Sequence, residues 1–216
     1  RGWSRDNIGH HIVRGNEISN CEQAGIVGSM GWAYSIVENN HIHNIHEDRL
    51  FSGYEQAAIK FHGAIDAQIR NNYVHHSVLG IWLDWMTQGT RVSRNLLHNN
   101  DRDMYFEANH GPFLVDNNIM LGKVSIDNWS QGAAFVHNLI AGKVQGRLND
   151  KRETPYFEAH NTLNMTLATF SGEGDWQFWN NVFLNSDLSA YKSPNLKMIS
   201  KGNVFVKNIS PQLSFN

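Results

Sequence analysis

Nine times along this chain, at nearly one period, an asparagine is followed, two residues on, by an apolar residue. The series opens with Asn16-Glu17-Ile18, Asn40-His41-Ile42, Asn72-Tyr73-Val74, Asn95-Leu96-Leu97 and Asn118-Ile119-Met120. It continues with Asn138-Leu139-Ile140, Asn161-Thr162-Leu163, Asn181-Val182-Phe183 and Asn203-Val204-Phe205. Successive asparagines stand 24, 32, 23, 23, 20, 23, 20 and 22 residues apart. A unit this short cannot bury an apolar face alone, so copies of it must stack on one another to make a core.

Leucine-rich repeats share this period, but their multi-leucine consensus is missing, and amphipathic helical patterning is hard to find anywhere. Short alternating strands between asparagine turns predict an all-β chain, a right-handed parallel β-helix with about 20–24 residues per coil. Asparagine suits its turns because it tolerates the left-handed backbone region. Stacked one per coil, the amides can also hydrogen-bond as a ladder. These asparagines are therefore read as structural.

The 32-residue interval holds an insertion at about residues 46–57, around "HEDRLFSGYEQ", which carries Tyr54 and Glu55. Insertions in a solenoid become loops over one face, often the binding face. A looser stretch from Val144 to Tyr156 is read as a second protruding turn, and no domain boundary is evident. With 41% hydrophobic residues, the 216-residue chain has material for a sizeable core. A net charge of −2 shows no basic stripe, which argues against a nucleic-acid partner. No apolar run approaches the roughly 20 residues of a membrane span. Cys21 stands alone, so no intrachain disulfide is possible. Starting at Arg1 without a methionine, residues 1–216 are read as one β-helix region of a longer protein.

"GIWLDWMTQGT" (80–90) sets a carboxylate between two tryptophans on a strand. Counting back eleven residues from Asn95, Asn118 and Asn138 reaches Asp84, Glu107 and Asp127, and ten back from Asn72 reaches His62. These four are expected to form an outward row, with Lys60, Trp82, Tyr105 and Ser125 beside it. On the inner side, Ile81, Met104 and Val124 should make one buried stack, and Leu83, Phe106 and Ile126 another. Neighbouring coils lie about 4.8 Å apart. Acids stacked at that spacing repel, and a fold selected only for stability would avoid them. Retaining glycosidases need two carboxyl groups roughly 5–5.5 Å apart, one as nucleophile and one as acid/base. The repulsion also keeps one of such a pair protonated near neutral pH. Tryptophan and tyrosine beside the pair offer flat faces for a sugar ring.

"GIWLDWMTQGTRVSRNLLHNN" followed by "DMYFEANHGPFLVDNNI" resembles the β-xylosidases of glycoside hydrolase family 120, most clearly over residues 53–120. The resemblance implies a bacterial retaining enzyme on a right-handed parallel β-helix interrupted by a β-sandwich, although no sandwich segment is evident in this chain. Carried over, it implies Asp84 as nucleophile and Glu107 as acid/base, releasing xylose from short β-1,4-xylo-oligosaccharides. It favours a cytoplasmic location and leaves a homo-oligomer open. Glu55, His62, Trp82, Trp85, His110 and Asp127 are the expected substrate contacts, and no cofactor or metal is expected. "HIHNIHE" brings His41, His43 and His46 close in sequence, but with a turn at Asn40 and no cysteine it is read as surface polarity. The rival readings are a calcium-dependent polysaccharide lyase using the stacked acids as metal ligands, and a non-catalytic carbohydrate-binding β-helix.

Overall fold

The structure, a computed structural model, describes residues 6–208 apart from 29–30, 51, 148–149, 159–161, 163, 170–174 and 193–196. Among these, the strands build three parallel sheets that the chain visits in turn. An eight-stranded corner sheet runs from Ile12–Arg14 to Lys197–Lys201, and a second eight-stranded sheet runs from Glu17–Cys21 to Val204–Val206. The third has six strands: Ala24–Gly28, Ala57–Phe61, Leu79–Leu83, Arg102–Glu107, Val124–Trp129 and Lys143–Gly146. The result is a parallel β-helix, with no helix long and apolar enough to cross a membrane among the described residues.

The asparagine period is explained at the corner between the first two sheets. Asn16, Asn40, Asn72, Asn95, Asn118, Asn138, Asn181 and Asn203 stack in one column, each Nδ2 donating to the next Oδ1 at 2.9–3.0 Å. Each Oδ1 also accepts the backbone N–H of the asparagine below it. From Asn40 onward, the amide donates as well to a carbonyl of the preceding coil, such as Val37 for Asn72 and Ile69 for Asn95. The left-handed conformation falls one residue earlier than expected. Gly15, Asn39, Asn71, Arg94, Asn117, His137, Asn180 and Gly202, the residues before the ladder, all have positive φ. The ladder asparagine supplies hydrogen bonds, and its predecessor makes the bend.

Above Asn138 the column continues directly to Asn181, 43 residues on; Asn161, expected as a marker, lies outside the described residues. Between those two rungs, after Lys143–Gly146 and before Asp175–Trp179, the chain departs from the three sheets. Here Thr154–Phe157 pairs antiparallel with Met165–Ala168. The loose pattern noted from Val144 onward reflects this departure.

Inside, like stacks on like. Val37, Ile69, Val92, Val115, Phe135 and Phe178 follow one another in register at 0–1% exposure, and Ile42, Val74, Leu97, Met120, Ile140 and Phe183 do so on the second sheet. Burial of each such side chain is worth roughly 1.5–3 kcal/mol. On the third sheet Ile59, Ile81, Met104 and Ile126 form one column, and Phe61, Leu83, Phe106 and Asn128 the next. Val124 and Ile126 are therefore two residues from their expected places. The coil between Asn118 and Asn138 is short, and two of its missing residues fall after Trp129, where Glu107 pairs with Trp129 but Phe113 already pairs with Ala133. Counting back from Asn138 overshoots by that amount.

Candidate active site

Leu83 and Phe106 are paired across neighbouring strands and fully buried, which sends the next residue of each, Asp84 and Glu107, outward on adjacent rungs. His62 stands one rung below Asp84, since Phe61 pairs with Leu83 and Asp84 N–H donates to the Phe61 carbonyl. The expected row of His62, Asp84 and Glu107 is present. Its fourth place belongs to Trp129; Asp127 instead pairs with Tyr105, in the row of Lys60 and Trp82.

The chain is fixed immediately beyond both acids. Asn109 donates to the Leu83 carbonyl, accepts the Thr87 N–H, and passes its own N–H to Ser130 Oγ. This short second ladder holds the turn against Met86 and Ala108, both in the left-handed region at φ 70 and 53. Such backbone is costly for residues other than glycine and persists where surrounding bonds enforce it.

Lys60 is the cation at the centre. Its side chain has 0% exposure, and its ammonium lies 2.5 Å from Glu55 Oε1, 3.1 Å from Asp84 Oδ2 and 3.2 Å from His62 Nδ1. Hydrogen bonds to Glu55 and the His62 ring, with the Asp84 charge beside them, are how this buried ammonium is made tolerable. Trp82 adds its ring face 4.6 Å away. His62 Nε2 reaches Asp84 Oδ2 at 2.7 Å, and the Trp85 N–H donates to Asp84 Oδ1 at 2.8 Å. Burial by itself would raise the Asp84 carboxyl, but the His62 bond, the Trp85 N–H and the Lys60 charge together hold it below the usual aspartate range. Asp84 is thus a buried carboxylate kept ionised.

Glu107 has different company. Arg152, from the excursion, reaches its Oε1 at 2.6 Å, and Arg152 is itself held by Asp150. The Tyr105 hydroxyl also bonds to Glu107; burial first, then the adjoining carboxylate, push that hydroxyl above its ordinary range and keep it a donor. The hairpin is anchored close by. His110 Nε2 meets Thr154 Oγ1 at 2.7 Å, its Nδ1 meets Gln131 Nε2 at 2.9 Å, and Gln88 exchanges two hydrogen bonds with the Phe157 backbone. Burial lowers His110 below the usual histidine range, so it stays neutral.

Three expected substrate contacts are placed differently from the sequence expectation. Asp127 is 1% exposed and both its oxygens are taken, by Trp129 Nε1 and Gln145 Nε2. Trp82 is buried against Ala57, Leu79 and Tyr105 rather than lying open, although its Nε1 has no protein partner. The ring nitrogens of His110 bind the hairpin and a neighbouring glutamine. Glu55 is where the insertion was expected to bring it, in the left-handed region at φ 66, with a buried Oε2 that also lacks a protein partner. Trp85 is half-buried, 5.2 Å edge-on to His62.

Sequence patterns matching a right-handed β-helix region cover residues 4–140. The chain belongs to the right-handed β-helix family. Among solved structures, this β-helix chain is similar to one described as the complex of XylC with xylose, at 37% identity and a TM-score of 0.83. The match covers 98% of this chain and 40% of that one, so the β-helix spans about 40% of the length of the solved protein. It bears out the resemblance carried by the two motifs around Asp84 and Glu107. No curated protein sequence matches the chain.

Two residues at the site were not among the expected catalytic or substrate contacts. Lys60, in the strand "AAIKF", was placed beside the row from the sequence but given no role there. Arg152 carried no signal, because it comes from a non-periodic excursion 45 residues from Glu107.

Proposed function

We propose that this β-helix is the catalytic region of a retaining glycoside hydrolase that releases xylose from short β-1,4-xylo-oligosaccharides. The observation that carries the reading is the placing of Asp84 and Glu107 on adjacent outward rungs, one rung being about 4.8 Å. That spacing suits a retaining pair and leaves no room for the water an inverting pair needs.

Asp84, held ionised by His62, Lys60 and the Trp85 N–H, attacks the anomeric carbon as Glu107 gives its proton to the departing oxygen. The C–O bond to the leaving sugar breaks and a glycosyl–Asp84 ester forms. Glu107 then takes a proton from water, which attacks the same carbon and frees Asp84. Arg152 and Tyr105 orient Glu107 through both steps. Trp85, half-buried beside His62, provides a wall for the sugar ring. Xylose as the sugar rests on the likeness to a protein solved with xylose.

The lyase reading loses support because Asp84, Glu107 and Asp127 each already engage a cation or N–H donor rather than facing a common ion site. The test is a panel of aryl glycosides, with and without chelator, followed by proton NMR of the first sugar released. Hydrolysis of the β-xyloside with the β-anomer appearing first, unchanged at 25 °C by chelation, is expected. An initial α-anomer, or activity that vanishes with chelator and returns with calcium, contradicts the proposal.

A further inference from the structure

The second sheet carries a separate cluster on its outer surface. His41 and His43 lie two residues apart on the strand His41–Ile45, so both rings project from the same face, 4.4 Å apart. Asn40 ends the corner just before this strand, and no turn separates the two rings. Glu17, in the coil below, is paired with His41, and its Oε1 lies 3.3 Å from His43 Nε2. His75, in the coil above, is paired with His43 and stacked on it at 5.0 Å with the planes 8° apart. Its Nε2 comes 2.8 Å from His41 Nε2. His46 is not part of the cluster; it is buried, with Nδ1 at the Glu22 carbonyl.

Ligating atoms of Glu17, His41 and His43 all fall within 4.8 Å of one another, and His75 adds a third imidazole beside His41. Outer contacts orient the rings. His43 Nδ1 faces Asn44 Oδ1 at 3.2 Å, so a proton there leaves the Nε2 lone pair turned toward Glu17. His41 is stacked on Tyr73 at 4.8 Å. Each pairwise contact can be satisfied by a hydrogen bond alone, but three mutually close donor groups from two coils, with His75 of the next coil beside one of them, resemble the set that zinc-class ions take. Three imidazoles and a carboxylate suit zinc, nickel or copper(II), whereas magnesium and calcium prefer all-oxygen shells.

We propose that Glu17, His41, His43 and His75 bind one divalent transition-metal ion of the zinc class. The ion would tie together three successive coils, across the interval that carries the insertion with Glu55. It lies on a different sheet from Asp84 and Glu107 and has no part in the hydrolysis.

The experiment is titration of the chelator-stripped chain with zinc(II) at pH 7.5 against a chromophoric competitor, with thermal unfolding in parallel. One equivalent should bind, and Tm should rise by about 5–10 °C at roughly a hundredfold excess over Kd, with no rise for magnesium. His43→Asn should abolish that rise, while His137→Asn, a corner histidine on another part of the coil, should leave it intact. Should His43→Asn fold poorly, Glu17→Gln serves instead. Its carboxylate is exposed, so the metal-free Tm should not move, yet zinc affinity should fall by at least about the 10–100-fold that losing an outer-shell partner costs. A wild-type Tm indifferent to zinc, or binding that survives both Glu17→Gln and His43→Asn, overturns the assignment.

Discussion

The asparagine corner and the site face are built on the same rungs, yet they use them in opposite ways. At the corner every rung presents the same side chain, and its donors and acceptors repeat until each buried amide is satisfied. On the site face no two successive rungs match: His62, Asp84, Glu107 and Trp129 form one row, and Lys60, Trp82, Tyr105 and Asp127 the other. Repetition at a rung spacing yields stability, because identical amides pair without repulsion. Variety at the same spacing yields chemistry, because unlike groups are held close enough to react and to shift one another's protonation. The cost appears as a buried lysine, two left-handed residues beyond the acids and two buried polar atoms without protein partners.

Changes on the site face should remove activity while the chain still folds, and changes at the corner should do the reverse. Asp84→Ala should show the largest effect, about 10⁴-fold or more in kcat on any xyloside, with an unchanged circular dichroism spectrum. Glu107→Ala should lose roughly 10²–10⁴-fold on xylobiose but retain a phenolate burst with an activated aryl xyloside, since that leaving group needs no proton. Asn95→Ala should barely alter kcat at 25 °C. It should lower stability by about 3–5 kcal/mol in urea unfolding, because it strands the Ile69 carbonyl and its ladder neighbours in a buried column. An Asn95→Ala protein with native stability, or an Asp84→Ala protein that does not fold, would break the contrast between the two regions.

Lys60→Met sharpens it through pH. The Asp84 carboxyl is held below its usual value, so the carboxylate form persists into acid and the acid limb of kcat/KM lies below the ordinary aspartate range. Removing the Lys60 charge should move that limb to higher pH; an unmoved limb would mean that Lys60 does not help keep Asp84 ionised. The same sign applies to folding. A depressed folded value contributes stability present above the unfolded pKa and lost as pH falls through the folded one. The smallest effect is expected from Arg152→Ala, roughly 10–100-fold in kcat with little change for activated aryl substrates, because it orients Glu107 without touching the sugar.

What was legible in the sequence follows the same division. The column could be read because each rung needs the same residue, and the Asp84–Glu107 pair because the flanking asparagines there are evenly spaced at 23 residues. Asp127 was misplaced where the next interval shrinks to 20, since the spacing of the corners shows that a coil is shorter but not where along it the residues are missing. Asn161 carries the same short phrase, but Asn138 bonds directly to Asn181 and Asn161 lies outside the described residues. Arg152 could not be foreseen, since the irregular stretch before the hairpin obeys no period. The zinc-class cluster was half visible: His41 and His43 share a strand, but Glu17 and His75 join them only through register across three coils.

The central claim is that Asp84 is the nucleophile and Glu107 its acid/base partner on the next rung. A 2-fluoro-xylosyl inactivator, whose ester hydrolyses slowly, followed by mass spectrometry of the digested chain, tests it most directly. The account predicts a single fluoroxylosyl adduct on the peptide carrying Asp84, still formed in Glu107→Ala when the leaving group is activated. An adduct on Glu107, or turnover of the β-xyloside with no covalent adduct on any carboxylate, would contradict it.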